Sequence, residues 1–105
     1  RVLLLMMRLP PWATLDRSSA ASDVYKTQLY DVMTINPGAY AHTSVAIKDA
    51  LEICKIPKIE VHLSHLANRE EYRQTLLTAK STNGYISGFK ENSYLAAAFL
   101  LLKLI

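Results

Sequence analysis

With a single cysteine, Cys54, the chain cannot form an internal disulfide. That thiol falls in an apolar helical pattern, where it reads as a small buried hydrophobe and fits a reducing compartment. A bilayer-length apolar run is absent too. The most apolar stretch, Tyr94 to Ile105, is broken by Lys103 and is about half the ~20 residues that a spanning helix needs, so it is expected to be a packing helix. There is no stripe of one charge. The 12 Lys and Arg alternate with 9 acids for a net charge of +3, which argues against a nucleic-acid partner, since that needs a continuous basic track. Val2 to Met7 has the apolarity of a signal peptide core, but it is short and no clear small-residue cleavage site follows, which argues against secretion. An initiator methionine is also absent: the chain opens on Arg1, as an open-ended reading frame does.

What is present is ordinary for a globular protein, half apolar and one-fifth charged over 105 residues, at most one domain. Residues 1–28 show no sustained periodicity, and Pro10-Pro11 breaks the early apolar run. Within them, Ser18 to Gln28 is similar to the in-frame translation of a transposase-based sequencing adapter, with one difference, at Thr27. The expectation is therefore a leader over 1–28, an artefact of library preparation, and an evolved domain over 29–105. From Leu29 the pattern becomes regular. Tyr30 to Ile35 reads as a strand stopping at Asn36-Pro37-Gly38. Thr43 or Ser44 offers an N-cap for a helix to about Ile53, and Ile59 to Leu63 is the next strand. A helix from Glu70 to about Ala79, a strand from Tyr85 to Ser87, and a helix capped by Ser93 and running to about Leu102 complete the pattern. The alternation β-α-β-α-β-α predicts a parallel sheet covered by helices, with ligands bound beyond the C-terminal ends of the strands.

Those ends carry the polar residues. Glu60 and His62 are two apart on a strand and share a face. In one reading the carboxylate orients the ring and favours its protonated form, leaving an acid able to protonate a leaving group. Taken alone, the pair better fits an edge strand with one solvated face. Asn36-Pro37-Gly38-Ala39 is a turn in which Asn36 offers a donor and an acceptor. His42-Thr43-Ser44 lies at a helix start, which favours anionic or hydroxyl-rich ligands; capping explains Thr43 or Ser44 but not His42. Arg69, Glu70, Glu71 and Arg73 form either a solvated ion-paired face or, through Arg73, an oxygen-binding fork. His42, His62 and His65 lack the spacing of a zinc motif. A Ser44, His42, Asp49 triad lacks the glycines of a nucleophile elbow.

Taken together, residues Ile35 to Leu51 resemble a signature of the type II 3-dehydroquinate dehydratases. Ile59 to Ser64 with Arg69 to Arg73 is similar to that family's second signature, and Gly84 to Phe89 with Ser93-Tyr94 to its third. Three ordered motifs are a far stronger signal than any one alone. The resemblance implies an α/β, flavodoxin-like parallel sheet with helices on both faces, and homododecamers built from trimers. It implies anti elimination of water from 3-dehydroquinate to 3-dehydroshikimate through an enolate, in the shikimate or quinate pathway, without metal or organic cofactor; with the charge pattern and run lengths above, the expected setting is the cytoplasm, with no membrane or nucleic-acid partner. Carried over by motif, His62 is the general acid and Glu60 its orienting neighbour, while Asn36 binds substrate and the water near the enolate oxygen. The amides of Leu63 and Ser64, with the Ser64 hydroxyl, receive the substrate carboxylate; His42 and Arg73 hold ring hydroxyls; Asp49 contributes from an adjoining subunit.

The chain departs from the pattern at Ala41, where Thr is usual, at His65, where Asn is usual, and at Lys90, where Gly is common. It also shows no counterpart of the family's Asn-Gly-Pro-Asn-Leu-Asn-like loop or of the following loop that bears a catalytic Arg and a base Tyr. Tyr25 is not that base, since its surroundings match the adapter. The family's N-terminal strands are thus expected to be missing, leaving an unpaired sheet edge, poor solubility and an inactive fragment. A non-catalytic flavodoxin-like binding or assembly module is the alternative.

Overall fold

The computed structural model describes residues 2–6 and 30–105; the adapter-like stretch, Tyr25 and the boundary at residue 28 lie outside them. Among the described residues four strands run in chain order and all in parallel: β1 (Val2–Met6), β2 (Val32–Asn36), β3 (Lys58–His62) and β4 (Gly84–Ser87). Among the described residues two α-helices pack on them, α1 (Val45–Ile53) and α2 (Asn92–Leu104). Alternation along β2 sends Met33 and Ile35 to one face, where Ile47 and Leu51 of α1 and Cys54 close a core. Val32 goes to the other face, against Ile59, Val61 and, from α2, Ala97 and Leu101. The sheet is therefore an α/β layer with a helix on each face, as expected.

β1 was not expected. Its five consecutive apolar residues do not alternate, so periodicity alone misses it, although strands of parallel sheets read this way. Val2 to Met6 pair in register with Val32 to Asn36, the place next to β2 that the flavodoxin-like order 2-1-3-4-5 gives to its first strand. The β2 edge expected to be open is covered there.

β3 is not an edge strand either. It lies between β2 and β4 and all five of its residues are buried, which excludes a solvated face for Glu60 and His62. Ser44 proves to be the cap of α1, its side chain accepting the Ile47 N–H at 3.1 Å. Cys54 caps the C-terminus of that helix and is buried.

The helix expected over Glu70 to Ala79 does not form. Two 3-10 turns take its place, Glu71–Gln74 and Thr78–Ser81, with Thr75 extended between them. The physical reason is competition for backbone groups. The Thr75 carbonyl is taken by the His42 ring at 2.7 Å, and the Leu77 N–H by the Ala41 carbonyl at 2.8 Å. A helical ladder would need both. Ser93 is also not a cap: it sits inside α2, fully buried, and accepts the Phe89 N–H at 3.2 Å.

Candidate active site

Beyond the C-terminal ends of β2 and β3 lies a cleft of about 290 Å³ lined by Asn36, Gly38, Ala39, His42, His62, Leu63, Ser64, Leu66, Arg69 and Arg73. Each arrives on a different piece of local structure. Asn36 ends β2, and its Oδ1 accepts the Gly38 N–H at 3.0 Å, closing a turn that Gly38 can follow because it adopts φ 62°. Its Nδ2 donates to the Tyr94 hydroxyl of α2 at 3.2 Å. The amide is thus fixed at both ends.

The chain then makes a 3-10 turn, Gly38–His42, that delivers His42 to the mouth of the cleft. With the Thr75 carbonyl as partner, Nδ1 of His42 carries the proton. Its Nε2, left as an acceptor, is buried with no partner. The His42 and His62 rings lie nearly parallel, 6.3 Å apart at 21°. His62 ends β3, and its Nε2 meets Glu60 Oε2 at 2.7 Å, with 5% of His62 and none of Glu60 exposed. The second oxygen of Glu60 accepts a short hydrogen bond from the Thr78 hydroxyl, which is also fully buried.

The far wall is cationic. Arg69 donates to the Ser64 hydroxyl at 3.1 Å, and Arg73 donates through Nε to Glu70 at 2.7 Å. Glu70 is held below the usual carboxylate range by its own backbone N–H and then by Arg73, and the same carboxylate raises Arg73. Ser64 and β4 are tied together, since Ser87 donates to the Ser64 carbonyl at 2.8 Å and accepts the Leu66 N–H at 2.9 Å.

The structure thus brings together Asn36, His42, His62, Leu63, Ser64 and Arg73 around one cleft, with Glu60 behind His62. Asp49 does not join them; it is exposed on α1. Sequence reasoning missed Thr78 and Tyr94 as supports, and it took Arg69 for part of a surface ion-pair run. No local pattern marks Thr78. Among the described residues no group of three or more His, Cys, Asp or Glu is placed to hold a metal ion, and no helix is long and apolar enough to cross a membrane.

A family model described as class II dehydroquinase matches residues 18–102. The chain belongs to the class II dehydroquinase family. Among the family's curated relatives, the 3-dehydroquinate dehydratase of Thermotoga petrophila is 52% identical over 68 residues, 65% of this chain and 47% of that protein. The 3-dehydroquinate dehydratase of Clostridium perfringens is 51% identical over 74 residues, 70% of this chain and 51% of that protein. The chain spans about half the length of the curated relatives it matches. The crystal structure of type II dehydroquinase from Butyrivibrio crossotus matches with a TM-score of 0.77 at 36% identity, over 85% of this chain and 63% of that one. The type II dehydroquinase from Propionibacterium acnes matches with a TM-score of 0.68 at 25% identity, over 96% of this chain and 98% of that one.

Proposed function

We propose that this chain carries the acid and substrate-binding half of a type II 3-dehydroquinate dehydratase, a hydro-lyase of the shikimate or quinate pathway. The observation that carries this reading is the buried Glu60–His62 pair at the floor of a cleft with a cationic wall. Because Glu60 occupies Nε2 of His62, Nδ1 is the nitrogen left to hand a proton to the departing hydroxyl, which leaves as water. Glu60 stabilises the imidazolium that precedes the transfer. Asn36 retains one Nδ2 hydrogen for substrate or for a water at the developing enolate oxygen. The unpartnered Nε2 of His42 suits a ring hydroxyl, which would satisfy a buried acceptor. Ser64, Leu63 and the Arg69–Arg73 wall suit the substrate carboxylate, and the Arg73 nitrogens not spent on Glu70 a second oxygen.

The base and the enolate-stabilising arginine are assigned, by the resemblance, to a segment with no counterpart in this chain. Without them turnover falls by several powers of ten. The same reading makes the working protein a cytoplasmic homododecamer, with Asp49 serving a neighbouring site, and places a boundary at Leu29. Uninterrupted genomic sequence ahead of Leu29 should supply an Asn-Gly-Pro-Asn loop followed by Arg and Tyr; a natural start at Leu29 would favour the assembly-module alternative. In the protein so completed, absorbance of dehydroshikimate reports the reaction. His62→Ala is expected to lower kcat by about 10²–10⁴-fold. Undiminished activity in that variant would sink the role given to His62.

A further inference from the structure

We infer that Thr78 is a positioning residue for His62, acting through Glu60. A carboxylate with no exposed surface is stable as an anion only if both oxygens are satisfied, because an isolated buried charge costs far more than a paired one. Oε2 of Glu60 has the His62 ring, and Oε1 has the Thr78 hydroxyl. No other donor to that carboxylate is present among the described residues. The two bonds do different jobs. The His62 contact fixes one oxygen but leaves the carboxylate free to swing about the bond behind it. The Thr78 contact sets the plane of the group and so holds Oε2 at 2.7 Å from Nε2.

Thr78 is itself held in place. It is the first residue of the Thr78–Ser81 turn, directly after Leu77, whose N–H is anchored on the Ala41 carbonyl. Two residues before Leu77, the Thr75 carbonyl orients His42. The stretch from Thr75 to Thr78 therefore orients both rings of the cleft, His42 by a main-chain oxygen and, through Glu60, His62 by a side-chain hydroxyl. This also explains why residues 70–79 depart from a helix. A ladder there would withdraw the Thr75 carbonyl and turn Thr78 with the helix.

The positional claim stands on geometry alone, while its consequence for turnover rests on the role proposed for His62. The test is therefore spectroscopic and is made on the full chain, without substrate. In the unsubstituted protein the Thr78 hydroxyl proton and the His62 Nε2 proton should both be visible by NMR, protected from exchange and close to one another. Thr78→Ser keeps the donor and should keep the His62 signal. Thr78→Val keeps the shape, strands Oε1, and should speed exchange of the Nε2 proton about tenfold or more as the carboxylate turns. A His62 signal unchanged in Thr78→Val would overturn the inference, whatever the protein does to dehydroquinate. Should the valine variant not fold, the unsubstituted protein decides: a Thr78 hydroxyl in rapid exchange with water would overturn it as well. Failure of the dehydratase assay with intact protection of both protons would remove the proposed reaction and leave Thr78 in its place.

Discussion

At the scale of residues, several side chains of the cleft answer to more than one partner. Arg73 is the clearest case. Its Nε is spent on Glu70, which also lies 3.4 Å from Arg69, so one carboxylate spans the cationic wall and competes with any anionic ligand for it. Glu70 lies below its ordinary value of 4.5 because its own backbone N–H, and then Arg73, favour the anion. A depressed carboxyl contributes above its unfolded value and loses that contribution as the pH falls through the folded one. With Glu70 half exposed, the pair adds little to stability, but it is visible locally. The Arg73 Nε–H resonance is expected to stay paired as the pH falls to 4.5 and to move to the free position below it. Glu70→Gln should show the free position at every pH. A resonance indifferent to both changes would mean that Arg73 is not held this way.

Some of this was legible from residue types and spacing. Glu60 and His62, two apart, had to share a face wherever their strand lay. Whether that face was wet or buried could not be read from five residues, because it depends on the strands either side. The same limit hid Thr78 and Tyr94, whose partners are 18 and 58 positions away in sequence.

At the scale of elements, local signals worked where an element satisfies itself and failed where it serves another. α1 has its own cap in Ser44 and its own apolar stripe, and it lies where the sequence puts it. The segment after Arg69 has helical composition but lends its backbone to His42 and Ala41. The loop between β4 and α2 shows a different cost. Gly88 takes φ 107°, with room for a Cβ only 3.0 Å from His65, and so brings its N–H onto the His62 carbonyl at 3.2 Å. Two residues later Lys90 takes φ 50°, the left-handed region. A non-glycine residue there is strained by about 1–2 kcal/mol, offset in part by the greater chain entropy that glycine loses on folding. Lys90→Gly is therefore expected to stabilise the fold by about 0.5–1 kcal/mol, read as a rise in the denaturation midpoint at unchanged slope. A lower midpoint would show that the Lys90 side chain contributes more than its backbone costs.

At the scale of the whole molecule, the sheet depends on β1. Without Val2 to Met6, β2 would present five residues of unpaired backbone along one edge of the sheet. Removing those residues is expected to cause aggregation on refolding, seen as light scattering and material in the void volume of a sizing column. An equally monodisperse shortened chain would show that β1 adds little to the sheet edge.

The sequence by itself determined the three strands and two of the three helices expected after Leu29, the parallel sheet with a helix on each face, and the identity of the polar residues gathered at the strand ends. These follow from periodicity, caps and three ordered motifs, all of which act over a few residues or along one chain segment. Only the tertiary structure decided that β3 is central, that Val2 to Met6 is a strand, that residues 70–79 give up a helix, and that Thr78 completes the Glu60–His62 pair. Each of those is settled by which group satisfies a carbonyl, amide or carboxylate, and in this molecule that partner comes from a distant part of the chain.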